Sequence, residues 1–106
     1  MKLFGMTRRA KFFQVVDHDT EHLRKLGVAE LGIFGSVCRG DDQEGSDYDI
    51  LVIFEEGKKN FRNFVALVDF LEEKLCGTVD LVTREGLSPF IGPHILEEVE
   101  YVSLAS

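Results

Sequence analysis

Asp47 and Asp49 stand one residue apart at the head of the apolar run "YDILVIF", residues 48–54. In an extended strand, residues i and i+2 point to the same face, about 6.6 Å apart along the chain. Two carboxylates at that spacing repel by roughly 2–3 kcal/mol at an effective dielectric of about 20, and a divalent cation between them reverses the sign. Asp80 lies on a second short apolar stretch, "TVDLVT", residues 78–83. If the two stretches are neighbouring strands, Asp80 joins the same face. Three carboxylates with open coordination positions suit Mg²⁺, a hard cation that keeps several waters and borrows phosphate oxygens from its substrate. Upstream, Gly35 and Ser36 offer backbone N–H groups and a hydroxyl to an anion, and Arg39 can add a charge-assisted contact. An anion cradle beside a carboxylate–metal site is what phosphoryl or nucleotidyl transfer requires.

The elements that must hold these residues are legible in outline. "DHDTEHLRKLG" reads as the end of a first helix, with Asp17 or Asp19 near a cap and Gly27 as the stop; its start is left open. "VAELGIF", residues 28–34, is a β-prone run ending at Gly35, and residues 48–54 form a nearly all-apolar strand expected to be covered on both faces. The connection between them fits a hairpin-like return or a brief helical turn. Asn60 can cap a helix carrying Phe61, Phe64, Val65, Val68, Leu71 and Leu75 at helical spacing, with Gly77 as the stop. Residues 78–83 are a third strand. Pro93 can open a last helix carrying Ile95, Leu96, Val99 and Val102. The expected fold class is α/β (α+β): a small mixed sheet of about three strands packed against helices. One domain spans residues 1–106, with a motif core at 28–83, an N-terminal helical region at 7–27 and a C-terminal helix at 93–102.

Gly35-Ser36, Arg39-Gly40 and Ser46-Asp47-Tyr48-Asp49, followed by Val79-Asp80-Leu81-Val82, resemble the signature of the minimal nucleotidyltransferase family of the DNA polymerase β-like nucleotidyltransferases. The likeness runs from about His18 to Val102 and includes Gly27-Val28 and the tail "LSPFIGPHILEE". It implies a nucleotidyltransferase fold and two Mg²⁺ ions held by Asp47 and Asp49, with Asp80 on the catalytic ion and helping to activate an acceptor hydroxyl. It implies that Gly35 and Ser36 receive the β,γ-phosphates of ATP or another nucleoside triphosphate, with Arg39 and Ser46 also at the nucleotide. It further implies an antitoxin role beside a HEPN-domain ribonuclease toxin, through transfer of AMP from ATP to a tyrosine of that partner. A non-catalytic antitoxin that neutralises its partner by complex formation is the alternative. The sequence departs from the family at Cys38, where a small residue such as alanine is common, and in a tail poor in basic residues.

Bulk properties agree with that class. The 106 residues carry a net charge of −7, with 44% apolar and 29% charged residues. Seven acids and no Lys or Arg lie between Asp41 and Glu56. Such a balance argues against sequence-independent nucleic-acid binding, which needs a basic surface. No apolar run approaches the roughly 20 residues of a membrane span, and the basic start "MKLFGMTRRAKFF" lacks the apolar stretch of a signal peptide. Cys38 and Cys76 make a poor disulfide framework, so free thiols and a cytoplasmic, reducing compartment are expected.

Three features have bland readings beside sharper ones. Arg39 can pair with Asp41 or Asp42 instead of a nucleotide. Lys2, Arg8, Arg9 and Lys11 can touch RNA or a partner, or form an exposed helix face. His18, Glu21 and His22 fit H-x-x-E-H, the pattern of a zinc hydrolase; on one helix the two histidines would share a face, against the simpler reading of a solvated helix start.

Overall fold

The computed structural model describes residues 6–104, so Lys2 lies outside the described residues. Helix α1, Arg8–His18, opens on Thr7, whose hydroxyl accepts the Ala10 N–H at 3.0 Å. It buries Phe12, Val15 and Val16. At Asp19 the backbone leaves the helical conformation and α2, Thr20–Lys25, begins. The N-terminal region is therefore two helices, and the break falls inside the H-x-x-E-H pattern. Gly27, with φ at +87°, then turns the chain into strand β1, Val28–Phe34.

The connection after β1 is a one-turn helix, α3, Gly35–Arg39, followed by a loop to strand β2, Tyr48–Phe54. Helix α4, Phe61–Leu75, starts at Asn60, whose Oδ1 accepts the Asn63 N–H at 2.8 Å, and turns Leu67, Leu71 and Leu75 inward. The left-handed residue that ends it is Cys76, at φ +55°, one position before the expected Gly77. Strand β3, Val79–Thr83, follows, then a 3-10 turn at Arg84–Gly86 and helix α5, Gly92–Glu98, with proline in its first turn.

The C-terminal expectation needs correction. The helix does not run over 93–102: it ends at Glu98, Val99 is extended with ψ at 138°, and Glu100–Ser103 form a fourth strand, β4. The sheet is therefore four-stranded and mixed, in the order β3-β2-β1-β4. The spacing of Ile95, Leu96, Val99 and Val102 permits either period over so short a run. An open edge of β1 decides it, because backbone groups of Glu30–Ile33 pair antiparallel with Glu100–Ser103. Strands β1 and β2 are also antiparallel, whereas β2 and β3 are parallel and joined by α4, as a parallel pair demands.

Leu31, Ile33, Ile50 and Val52 are fully buried in one cluster with Phe12, Val16, Leu23, Leu67 and Leu71, so α1, α2 and α4 cover one face of the sheet. Burial of each such side chain contributes about 1.5–3 kcal/mol. Alternation along β2 sends Asp49 and Leu51 to the opposite face, and Leu51 is also fully buried. Both faces of the middle of β2 are thus covered, as its continuous apolar run requires.

Candidate active site

Strand register brings the acids together. Asp49 is the cross-strand partner of Asp80 in the parallel β2–β3 pair and of Phe34 at the end of β1. Paired residues on adjacent strands share a face, so Asp49 and Asp80 stand side by side. Asp47 lies one residue before β2, exposed, with the buried Tyr48 pointing the other way into the core. Asp80 is exposed and Asp49 half-buried.

The environment of Asp49 is anionic. Burial first, then the charges of Asp80, Asp47 and Glu98, push its carboxyl up from the ordinary aspartate value, while Arg39 acts in the opposite sense. Among the described residues, no three His, Cys, Asp or Glu converge closely enough to form a ready-made metal cage. Mg²⁺ is commonly bound through one or two carboxylates and completes its shell with water and phosphate oxygens. The donor set, hard carboxylate oxygens with excess negative charge and an open side, fits that ion.

Gly35 lies directly beneath Asp49. Its φ is +77°, and a Cβ placed on it would overlap the Asp49 carboxylate oxygen and approach Asp49 Cγ to 3.0 Å. Only glycine combines that backbone conformation with that close approach. Ser36 is half-buried in the first turn of α3.

Arg39, exposed at the end of α3, contacts Asp41 at 3.2 Å and Glu98 at 2.5 Å. The Asp41 pairing is one of the two that the sequence allowed. Ser46 holds its own loop: its hydroxyl accepts the Gln43 N–H at 2.9 Å, and its carbonyl accepts from Arg8 at 2.6 Å. Arg8 also lies 3.7 Å from Asp42 and over the Tyr48 ring, and Arg9 pairs with Glu100. Two of the basic residues near the start therefore brace this chain's own loop and last strand.

Glu98 closes the tail "LSPFIGPHILEE", but neither its type nor its spacing assigns it to the site. It is one of two adjacent acids in a helix 63 residues after Gly35, yet its Oε2 accepts the Gly35 N–H at 3.2 Å while Oε1 meets Arg39. Only the return of α5 across the end of β1 puts it there.

The zinc pattern is not assembled. His18 ends α1 and His22 lies in α2, across the break at Asp19; the His18 side chain is 83% exposed, and His22 packs on Phe70 at 4.5 Å between ring centroids. Cys38 and Cys76 are both free thiols, the first buried and the second exposed. No helix among the described residues is long and apolar enough to cross a membrane.

The chain resembles known proteins in sequence and in fold. The family model described as "Nucleotidyltransferase domain" matches residues 19–102. "Protein adenylyltransferase MntA" of Thermococcus cleftensis is 44% identical over 85 residues, covering 80% of this chain and 85% of that protein. A solved structure described as a "putative minimal nucleotidyltransferase" superposes with a TM-score of 0.67 at 33% identity, over 82% of this chain and 92% of the other. The MNT antitoxin complex with a tri-AMPylated HEPN toxin from Shewanella oneidensis shares the fold, with a TM-score of 0.57 at 20% identity over 88% of this chain and 71% of the other.

Proposed function

The chain belongs to the nucleotidyltransferase domain family, and from that premise we propose that it is an Mg²⁺-dependent protein adenylyltransferase. In this reading it transfers AMP from ATP to a tyrosine hydroxyl of a HEPN-domain toxin and so acts as that toxin's antitoxin. The observation that carries the reading is the register that sets Asp49 beside Asp80 with Gly35 directly below. The 44% identical relative named as a protein adenylyltransferase and the fold shared with an antitoxin bound to an AMPylated HEPN toxin supply the reaction class and the partner.

Asp47, Asp49 and Asp80 would hold Mg²⁺, which neutralises triphosphate charge. The Gly35 N–H and the Ser36 hydroxyl receive the β,γ-phosphates, and Arg39 adds positive charge on the same side. The acceptor's phenolic oxygen forms a bond to the α-phosphorus. The bond from that phosphorus to the bridging oxygen of pyrophosphate breaks, and pyrophosphate leaves. Asp80, on the exposed edge of the acid pair, accepts the phenolic proton. Asp49 is half-buried whereas Asp80 is exposed and open to a bulky acceptor, which suits a protein substrate.

The test is transfer of label from α-labelled ATP, with Mg²⁺, to a HEPN-domain toxin co-purified with this chain. Wild type labels the toxin; the Asp47→Asn, Asp49→Asn double variant loses labelling by at least about 100-fold and no longer neutralises the toxin. Absence of label with wild type overturns the reading, provided an active relative labels its own toxin in parallel. Full neutralisation by the double variant favours an antitoxin that acts by binding alone.

A further inference from the structure

We infer that Glu98 occupies the triphosphate's donors before nucleotide arrives, and that ATP must displace it to bind. The inference rests on the nucleotide reading above and adds to it a competing anion built into the chain.

One carboxylate bridges the two groups assigned to the phosphates. Oε2 accepts from the Gly35 backbone N–H at 3.2 Å, and Oε1 takes the Arg39 guanidinium at 2.5 Å. A carboxylate and a phosphate oxygen compete for such donors with the same chemistry, a negative oxygen facing N–H groups. The Glu98 side chain is 28% exposed, so a charged ligand can reach it and solvent can receive it.

Its position is costly without these partners. Glu98 is the last residue of α5, whose final turn carries no basic residue, and an acid at a helix C-terminus meets the unfavourable end of the peptide dipoles. It also adds to the negative charge that pushes Asp49 up. The contacts to Gly35 and Arg39 offset both effects while the site is free of nucleotide. Once a triphosphate occupies those donors, they no longer hold Glu98, and its proximity to another anion favours its departure.

α5 leads through Val99 directly into β4, the edge strand on β1. Release of Glu98 therefore acts at the root of that strand. The Cys38 thiol, 3.6 Å from Glu100 Oε2, lies between the same segments.

The experiment is calorimetric titration of ATP with Mg²⁺, and separately of AMP, into wild type, Glu98→Gln, Glu98→Ala and Glu98→Asp. Thermal melting of each protein accompanies it. Removing the competing charge tightens ATP by roughly 3- to 10-fold in Glu98→Gln and Glu98→Ala, the value of one backbone hydrogen bond and one exposed ion pair. AMP, which lacks the β,γ-phosphates, keeps its wild-type affinity. Glu98→Asp, one methylene shorter, falls between. A brace that merely orders Arg39 predicts the reverse, weaker ATP binding in Glu98→Ala, and that result overturns the inference. Equal ATP affinity across the series also overturns it while leaving the nucleotide reading intact. Failure of every protein, wild type included, to bind ATP overturns both.

Discussion

At the scale of single residues, the site depends on a contact too close for any side chain but hydrogen. Gly35 combines a left-handed backbone with the Asp49 carboxylate lying on its Cα. Gly35→Ala is expected to lose about 1–3 kcal/mol of folding stability and to displace Asp49. Chemical denaturation measures the first effect, and the toxin-labelling assay reads the second. The sequence shows this glycine and the two carboxylates but not that one lies on the other. Residue types and spacing report chemistry, whereas the overlap needs the antiparallel register of Phe34 with Asp49. Ser46 illustrates the opposite case. Its place beside Asp47 suggests the nucleotide, yet its hydroxyl closes a turn on Gln43, a local bond that the i to i+3 spacing equally allows.

At the scale of elements, the acids are positioned by strands on whose other face α1 and α4 pack. Asn60 starts α4 by accepting the Asn63 N–H, and the same Asn63 side chain donates to the Lys58 carbonyl at 2.7 Å. Asn60→Ala is expected to cost about 1 kcal/mol, seen as a lower urea midpoint with unchanged slope. The catalytic residues lie away from that cap, so labelling of the toxin per folded molecule is unchanged. Helix α4 was readable because its apolar positions recur over four turns, a signal that tertiary contacts seldom overrule. Strand β4 was not. Four residues carry too little periodicity to separate strand from helix, and the deciding term is the unpaired edge of β1, contributed by residues some 70 positions earlier.

At the scale of the whole molecule, the charge distribution links folding to the site. Net charge is −7, and the acids converge where the nucleotide reading needs a cation. In the metal-free protein Asp49 holds its proton more tightly when folded than when unfolded. In the interval between those two values the folded state binds more protons, so stability falls as pH rises. The penalty is absent below the ordinary aspartate range and complete above the folded value. Asp49→Asn is therefore expected to raise the thermal midpoint of the metal-free protein near neutral pH and to flatten its pH dependence in the acid range. Melting curves across pH, with chelator present, check both. A midpoint lower than wild type at neutral pH contradicts the account.

What the sequence determined by itself was local and chemical. The donor types, the glycine-turn-acid spacing, three of the four strands and the amphipathic α4 all follow from residue identity and short-range periodicity, and they sufficed to indicate the family. Tertiary structure decided everything that depends on distant segments meeting. It set the parallel register that puts Asp80 beside Asp49, the edge pairing that turns residues 100–103 into a strand, and the approach of Glu98 to Gly35 and Arg39. Periodicity reaches only as far as one element. Backbone hydrogen bonds between elements, which must be satisfied wherever the chain is buried, carry the rest.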